Sequence, residues 1–546
     1  MNLGSRYSQH SFAQIPDVNM ARSKFNRSFA VKDTFNFDDL VPFFIDEIIP
    51  GDTINLNVKS FSRLAPQVVP LMDNMYMDYF FFFVPNRLVW NNWEKFCGAQ
   101  DDPGDSTDYI VPRIALAETG ANVVGSIYDK FGIPTDVPDV TINALPFRAY
   151  NLIFNSWFRD QNLQDSLPVP KTDGPDNPAD YIIVQRGKRH DYFTSALPWP
   201  QKGEAVTIPT GGLAPVVGTI TGPSSLAVLP YRANTGAFPD ANIRSGVAST
   251  TGTAIFASGT SLPNNTDINP YISAGGLTMS HTLEADLTES TAITINQFRL
   301  AMMTQSFLEL DARGGTRYVE ILRAHYNVVS PDFRLQRPEL LSVGSSTISQ
   351  HVVAQNSATT ETSPQGNLAA FSTAYTGSSR IGFSKSFVEH GYVIGLVAAR
   401  ADLTYQQGLN RMWSRTTRQD FFWPKFQELG EQAIFNREIF YSGVAEDDDA
   451  VFGYQERYAE YRYKPSEIRG QFRSTYAETL DVWHLAEEFS STPALNGEFI
   501  KSSTPIERSL VVPNPTYPHL LFDCWFDYKH ARPMTTYGVP ATLGRF

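Results

Sequence analysis

The chain has 546 residues, of which 18% are charged and 13% are aromatic, and its formal net charge at pH 7 is −13. This length allows two or three ordinary domains or one core with large insertions. The acidic balance argues against a protein that coats nucleic acid over its whole surface, and the two cysteines, Cys97 and Cys524, exclude a disulfide framework.

Residues 1–32 predict a basic amino-terminal arm. Their only acidic residue is Asp17, and their cations are Arg6, Arg22, Lys24, Arg27 and Lys32. A basic arm on an acidic body fits a protein shell whose inner face contacts the phosphates of nucleic acid. The alternative is that these residues are disordered and their charge is incidental. Residues 1–18 have no apolar core of a signal peptide, so we expect a soluble protein that is intracellular when synthesised.

Residues 33–199 contain the patterns of two strands and one helix. Residues 52–58 alternate apolar and polar side chains, which predicts a strand with one buried face. Residues 75–84 form a nearly continuous aromatic run before a proline, which predicts a strand buried on both faces. Residues 145–165 carry apolar side chains at three- and four-residue spacing, which predicts a helix.

Residues 200–295 differ from the rest because they are rich in Gly, Ser and Thr and almost free of aromatic residues. A structureless linker of this length is unusual inside a domain, so we interpret the stretch as a projecting surface insertion with short strands, with disorder as the alternative. A helix is then predicted to begin near Thr294, where Thr294 and Gln297 match a capping box. It breaks at two glycines, 314 and 315, and a short helix follows over residues 317–325.

Further strands are predicted toward the carboxyl end. Residues 392–403 form another buried run. Residues 519–530 are apolar at even positions and mostly polar at odd positions, which predicts a strand with one face in a core and the other on a contact surface. Because helices interrupt the strands without regular alternation, the sequence predicts an all-β core with helical insertions.

Residues 453–465 are a second candidate for contact with nucleic acid. Tyrosines there alternate with Arg457, Arg462 and Lys464. Aromatic rings between cations can stack on single-stranded bases while the cations bind phosphate. Two glutamates reduce the positive charge, so an interface strand of paired ions and rings is an equally simple interpretation.

Common catalytic motifs are absent from the sequence, among them a Walker A loop and a His-Glu-x-x-His pair. We therefore do not expect an enzyme and name no catalytic residues. The two competing hypotheses are a carbohydrate-binding β-sandwich, with residues 200–295 as its lectin-like surface, and a β-rich glycoside hydrolase with carboxylates that form no short motif.

Metal and calcium sites are not favoured either. A strand over residues 519–530 would separate its candidate ligands onto two faces; these are His519, Asp523, Cys524, Asp527 and His530. The acidic loops at residues 101–108 and 446–449 could hold a structural calcium ion, but neither matches an EF-hand, and solvated turns are the preferred interpretation. We expect no cofactor.

Six motifs, in the same order along the chain, resemble the major capsid protein of gokushoviruses, small single-stranded DNA phages of the Microviridae. They are SFAQIP at 11–16, FNRSF at 25–29, DNMYMDYFFFFVPNRL at 73–88, LPFRAYNLIFNSWFRD at 145–160, SPDFRLQRPE at 330–339 and residues 454–468. Each motif except the first two is long, and their composition is unusual.

The resemblance implies a mainly-β fold, an eight-stranded antiparallel jelly roll of the viral capsid type with long loop insertions and a few helices. Residues 1–32 would be the basic arm, 33–199 the first part of the core with a helical insertion, 200–295 the projecting insertion, and 296–546 the second part of the core. The chain would be a structural protein of the virion that assembles, in the bacterial host cytoplasm, into a T=1 icosahedral shell around a circular single-stranded DNA genome.

The resemblance also implies partners. They are further copies of the chain, the single-stranded DNA, a pilot or minor capsid protein, an internal scaffolding protein, a small basic DNA-binding protein and a host surface receptor. The insertion at 200–295 would meet the receptor in host attachment, and no membrane insertion is expected. The family offers no catalytic residues to transfer.

Overall fold

The computed structural model describes residues 22–116, 122–206, 295–354, 356, 359, 365–377 and 381–537, and the backbone of residues 216–221 and 280–285. The chain divides into a main unit, residues 1–204 and 306–546, and a second unit, residues 205–305. In the second unit, Val216–Thr221 pairs antiparallel with Ser280–Ala285. Short strands therefore do occur in the predicted insertion, whereas Arg6 and Thr294 lie outside the described residues.

Strands dominate the described residues. In chain order they are β1 (Ser23–Asn26), β2 (Phe29–Phe35), β3 (Val41–Ile48), β4 (Thr53–Leu64), β5 (Met75–Pro85), β6 (Arg113–Leu116), β7 (Val140–Asn143), β8 (Val216–Thr221), β9 (Ser280–Ala285), β10 (Glu339–Ala354), β11 (Leu368–Tyr375), β12 (Ile381–Ser386), β13 (Gly391–Ala401), β14 (Thr404–Tyr405), β15 (Glu431–Phe435), β16 (Val451–Glu456), β17 (Ser466–Glu467) and β18 (Leu520–Arg532).

Most helices are single turns. They are α1 (Asn86–Val89), α2 (Trp93–Phe96), α3 (Ile127–Lys130), α4 (Leu145–Ile153), α5 (Ile295–Arg313), α6 (Tyr318–Tyr326), α7 (Asp332–Leu335), α8 (Asn436–Ile439), α9 (Ala445–Asp448) and α10 (Gly497–Ile500). Within the described ranges, no helix combines the length and the apolar character needed to cross a membrane.

Ten strands form one antiparallel sheet in the order β1-β18-β4-β11-β10-β5-β13-β3, with β2 also paired to β18 and β12 to β4. Although β3 and β18 stand near opposite ends of this order, the ring of Phe43 in β3 lies 5.9 Å from Phe522 and 5.6 Å from Phe526 in β18. The sheet therefore curls until its ends face each other around an apolar interior. The predicted mainly-β jelly-roll class is confirmed. The described strands are hydrogen-bonded as one curled sheet of ten, where the resemblance implied eight.

The central strand β5 is buried on both faces, as its aromatic run predicts. Tyr79, Phe81 and Phe83 point into the interior of the curled sheet. Phe80 and Phe82, which alternate with them, point outward into a second core that α4 covers. A third core joins residues 192–196 to parts of the chain between residues 405 and 500.

The predicted strands and helices are largely confirmed, with corrections at their ends. Helix α4 continues as a π-helical turn over Phe154–Phe158, so the helix predicted over residues 145–165 ends at residue 158. Arg159 is extended (φ −69°, ψ 133°), and the Asp160 carboxylate accepts hydrogen bonds from the N–H groups of Asn162 and Leu163. The helix break at Gly314 is confirmed. His519, placed on the polar face by its odd number, is buried ahead of β18 and accepts a hydrogen bond from the Phe37 N–H.

Candidate subunit and nucleic-acid surfaces

The described part of the predicted basic arm lies on the main sheet. From residue 23 onward the backbone forms β1 and β2, and both strands pair with β18. The ring of Phe29 stacks at 4.7 Å on Phe526, which anchors this segment to the sheet. Residues 22–32 therefore present their cations from a sheet edge.

The four described cations of this segment differ in whether a carboxylate neutralises their charge. Arg27 donates two hydrogen bonds to Asp46, at 2.5 and 3.0 Å, and lies over the Tyr528 ring. Lys32 pairs with the exposed Asp523 at 3.0 Å. In the part of the chain that the structure describes, Arg22 donates to two neutral oxygens, those of Gly51 and Thr53, and Lys24 is exposed. Arg22 and Lys24 are thus best placed to offer charge to a phosphate.

A buried polar cluster fixes the end of β18 beneath this segment. The side chains of His530 and Asp52 are both 0% exposed, and His530 Nε2 lies 2.9 Å from an Asp52 oxygen. Arg532 donates to the same carboxylate at 3.1 Å. Burial, followed by the Arg532 charge, lowers the pKa of His530, so this ring is neutral at pH 7.

The candidate metal ligands on β18 do not converge. His519 pairs with Glu507 at 2.6 Å and Asp523 pairs with Lys32, while Cys524 lies in the core, where burial raises the pKa of its thiol. Across the residues that the structure describes, no three His, Cys, Asp or Glu side chains lie close enough to share a metal ion.

Carboxylates of the two acidic loops accept hydrogen bonds from their own backbone. Asp105 accepts from the N–H groups of Asp101 and Asp102 and pairs with Lys95 at 3.2 Å. Asp448 accepts from the N–H groups of Ser442 and Gly443. Each carboxylate thus accepts from N–H groups that precede it in the chain by three to six residues.

Residues 453–465 do not form one strand, so the alternative interpretation of this segment as a single interface strand is wrong. Strand β16 ends at residue 456, and Tyr458 adopts a left-handed conformation (φ 63°) that turns the chain. Arg462 pairs with Glu456, and Arg457 lies over the Tyr458 ring at 4.8 Å. Lys464 is exposed at a cavity of about 350 Å³. Of the three predicted contact residues, Lys464 is therefore the most available to bind phosphate.

An aromatic surface beside this segment was not predicted from the sequence. We define it by its exposed members Met412, Trp413, Phe421, Phe422, Trp423, Tyr461 and Tyr463. Guanidinium groups lie over three of these rings: Arg415 over Tyr461 at 4.2 Å and over Phe421 at 5.7 Å, and Arg418 over Trp423 at 4.5 Å. A dense group of exposed apolar side chains marks a contact site for another molecule. The run RMWSRTTRQDFFWPKF at 411–426 is the signal that could have revealed it.

Comparison with known proteins identifies close relatives over the whole chain. A family model described as "Capsid protein (F protein)" matches residues 13–542. Capsid protein VP1 of Bdellovibrio phage phiMH2K is 61% identical over 559 aligned positions, which cover 100% of both chains. VP1 of Chlamydia phage 1 and of Spiroplasma virus 4 are 42% and 34% identical, each with 97% of both chains covered.

Proposed function

Because the chain belongs to the capsid protein (F protein) family, with gokushovirus relatives in the Microviridae, we propose that it builds a T=1 icosahedral shell around a circular single-stranded DNA genome. The family membership itself identifies the chain as a major capsid protein of Microviridae phages, located in the virion, and not an enzyme. The match over residues 13–542 carries this conclusion.

The aromatic surface supports assembly between copies of the chain. Stable protein interfaces bury about 800 Å² on each partner and are enriched in aromatic residues and arginine. Trp413, for example, is 71% exposed in the isolated chain. A shell buries such side chains against neighbours, so the exposure seen in one subunit does not persist in the particle.

Assembly is tested by expressing the chain with its internal scaffolding protein and imaging the product by negative stain. We expect closed particles from the natural chain and a loss of particles from Trp413→Ala combined with Phe422→Ala. The same substitutions should leave the urea unfolding midpoint nearly unchanged because both side chains are exposed. Val388→Ser, which changes an exposed side chain outside the aromatic surface, is the control. Normal particles from the double variant would contradict the role given to this surface.

Arg22 and Lys24 are the residues that we propose to face the genome, together with the exposed Lys464. The acidic body needs local cations wherever it meets phosphate. Arg22→Gln with Lys24→Gln should reduce the DNA content of particles or their stability at raised salt, whereas Lys171→Gln, at an exposed lysine outside the cavity of Lys464, should not. Arg27 stays unchanged in this test because its pairing with Asp46 supports the sheet edge. Unaltered packaging would show that these cations serve another purpose.

Residues 200–295 are the segment that we propose for host attachment. The composition of this stretch and its place in a separate unit support the proposal. A particle in which a short Gly-Ser linker replaces residues 207–294 should still assemble and should fail to bind host cells. Unimpaired binding would refute the assignment.

The remaining virion partners and the absence of a cofactor are also proposals. We propose that the scaffolding, pilot and small basic DNA-binding proteins join the chain during assembly, which co-purification from infected cells tests.

We propose that calcium takes no part, because the acidic loops already engage backbone donors. Adding EDTA should therefore leave the melting temperature of particles unchanged, and a clear fall that added calcium alone reverses would establish a calcium site.

A further inference from the structure

A cavity of about 800 Å³ lies in the main unit between the turn after α4 and the loop that joins α5 to α6. Two acidic side chains line it, Asp160 and Glu320. Six cationic side chains line it as well: Arg159, Arg186, Lys188, Arg189, Arg313 and Arg317. The volume is within the range of about 300–1,000 Å³ that small-molecule sites occupy.

Neighbouring carboxylates balance most of these cations. Among the described residues, Arg159 is the lining cation without a carboxylate oxygen within 4 Å. The paired cations are Arg186 with Asp78 (2.5 Å), Lys188 with Glu487 (2.7 Å), Arg313 with Glu431 (2.6 Å), Arg317 with Glu320 (3.2 Å) and Arg189 with Asp402 (3.8 Å). The excess positive charge is therefore concentrated at Arg159.

Arg159 and Arg317 adjoin each other and have donors left over. Arg317 Nη2 donates to the backbone oxygen of Arg159 at 2.5 Å, and Arg159 Nη1 donates to the Gln164 oxygen at 2.8 Å. The Nε atoms of both arginines are buried and lack an acceptor in the described structure. Burial and the nearby Arg317 charge lower the pKa of Arg159. An anion between the two guanidinium groups would relieve the repulsion between their charges.

Aromatic side chains form another wall of the same cavity. Phe80, Trp157 and Phe158 line it. Guanidinium groups already lie over two of these rings, Arg186 over Phe80 at 5.0 Å and Arg337 over Trp157 at 4.3 Å. Phe158, which meets Phe80 edge to face at 5.1 Å, is the ring of this wall without a described cation over it. Cations beside aromatic faces are the combination that holds single-stranded nucleic acid. An acidic peptide would use the cations but would leave the aromatic wall without a role.

We propose that this cavity binds one nucleotide of single-stranded DNA, with its phosphate between Arg159 and Arg317 and its base against Phe158. The proposal rests on the proposed packaging of single-stranded DNA and adds a specific site to it. Arg159 provides the free charge, whereas Arg317 also begins helix α6 through its bond with Glu320.

The test measures binding of a short fluorescein-labelled oligothymidylate to the full-length, unassembled chain by fluorescence anisotropy. Arg159→Gln should weaken binding about tenfold, the usual effect of losing one charge-assisted hydrogen bond. It should also reduce the slope of log affinity against log salt by about 0.7, since one phosphate contact is lost. Arg159→Lys should restore part of the affinity, and Lys171→Gln, which changes an exposed lysine outside this cavity, should change it less than about twofold. An abasic oligomer should bind more weakly than oligothymidylate, because it cannot use the aromatic wall.

Further arms separate this site from the amino-terminal cations and from a protein partner. If Arg22→Gln with Lys24→Gln weakens binding while Arg159→Gln does not, the cavity is refuted and the packaging proposal stands. If neither variant changes the affinity, the cavity site and the proposed DNA contact of Arg22 and Lys24 are both refuted. If Arg159→Gln blocks assembly but leaves oligonucleotide affinity intact, the cavity receives a neighbouring subunit and the inference is overturned. Ultraviolet cross-linking of particles should place DNA on the peptide that contains residues 157–159.

Discussion

The buried ion pair of Arg148 and Asp176 allows a quantitative test of how the chain folds. Their side chains are 0% and 1% exposed. Arg148 donates to both carboxylate oxygens, at 2.7 and 2.5 Å, and to two backbone oxygens, those of Val89 and Thr172. The Tyr181 hydroxyl donates to the same carboxylate at 2.5 Å. One guanidinium thus joins α4 to α1 and to the segment that carries Thr172 and Asp176.

Replacement of Arg148 by Met leaves the Asp176 carboxylate buried without its cation. Removing one partner of a buried pair typically costs about 3–5 kcal/mol. Since domains have net stabilities of about 5–15 kcal/mol, this change would remove a large share of the total. Arg148→Met combined with Asp176→Leu should be less damaging than the single change, because no buried charge remains unpaired.

Urea unfolding of the unassembled chain, followed by tryptophan fluorescence, measures these differences. We expect the midpoint for Arg148→Met to fall well below that of the natural chain, with the double variant between them. A loss below about 1 kcal/mol for the single variant, or a larger loss for the double variant, would refute the reasoning.

Three further outcomes follow from the burial pattern of β18 and its surroundings. Phe526→Ala should lower the free energy of unfolding by about 3–5 kcal/mol because it empties a fully buried site, whereas Trp525→Ala on the exposed face should lower it by no more than about 1 kcal/mol; urea midpoints compare the two. The pKa of His530 is lower in the folded chain than in the unfolded chain, so the unfolded chain binds a proton at this ring more readily. The stability that the neutral ring contributes at pH 7 is therefore lost as the pH falls below about 6.5. His530→Gln should remove this contribution to the loss of stability when unfolding is measured between about pH 7 and pH 5. A thiol reagent should label the exposed Cys97 in the folded chain and Cys524 only after unfolding, as mass spectrometry would show.

Periodic patterns predicted the core strands well because burial acts directly on neighbouring side chains. Residues 52–58 and 519–530 alternate in the sequence as they alternate between core and surface in β4 and β18. The aromatic run of β5 likewise indicated two buried faces. What the patterns could not supply was the pairing of β1 and β2 with β18, which depends on residues about 500 positions away.

Features made by distant residues or by a single backbone angle escaped prediction. Arg159 and Arg317 are 158 positions apart, and no short motif records their contact. The left-handed Tyr458 ends a segment that resembled a continuous strand, since its alternating rings and ions fit both conformations. His519 was misplaced because its hydrogen bonds to Phe37 and Glu507 outweigh the alternation of the adjacent strand.

An icosahedral cryo-EM reconstruction of assembled particles tests the central claim most directly. We predict a closed T=1 shell in which the aromatic surface, including Trp413 and Phe422, is buried against a neighbouring copy and Arg22 and Lys24 face the DNA. A particle of different symmetry, or one in which the aromatic surface remains open to solvent, would contradict the account.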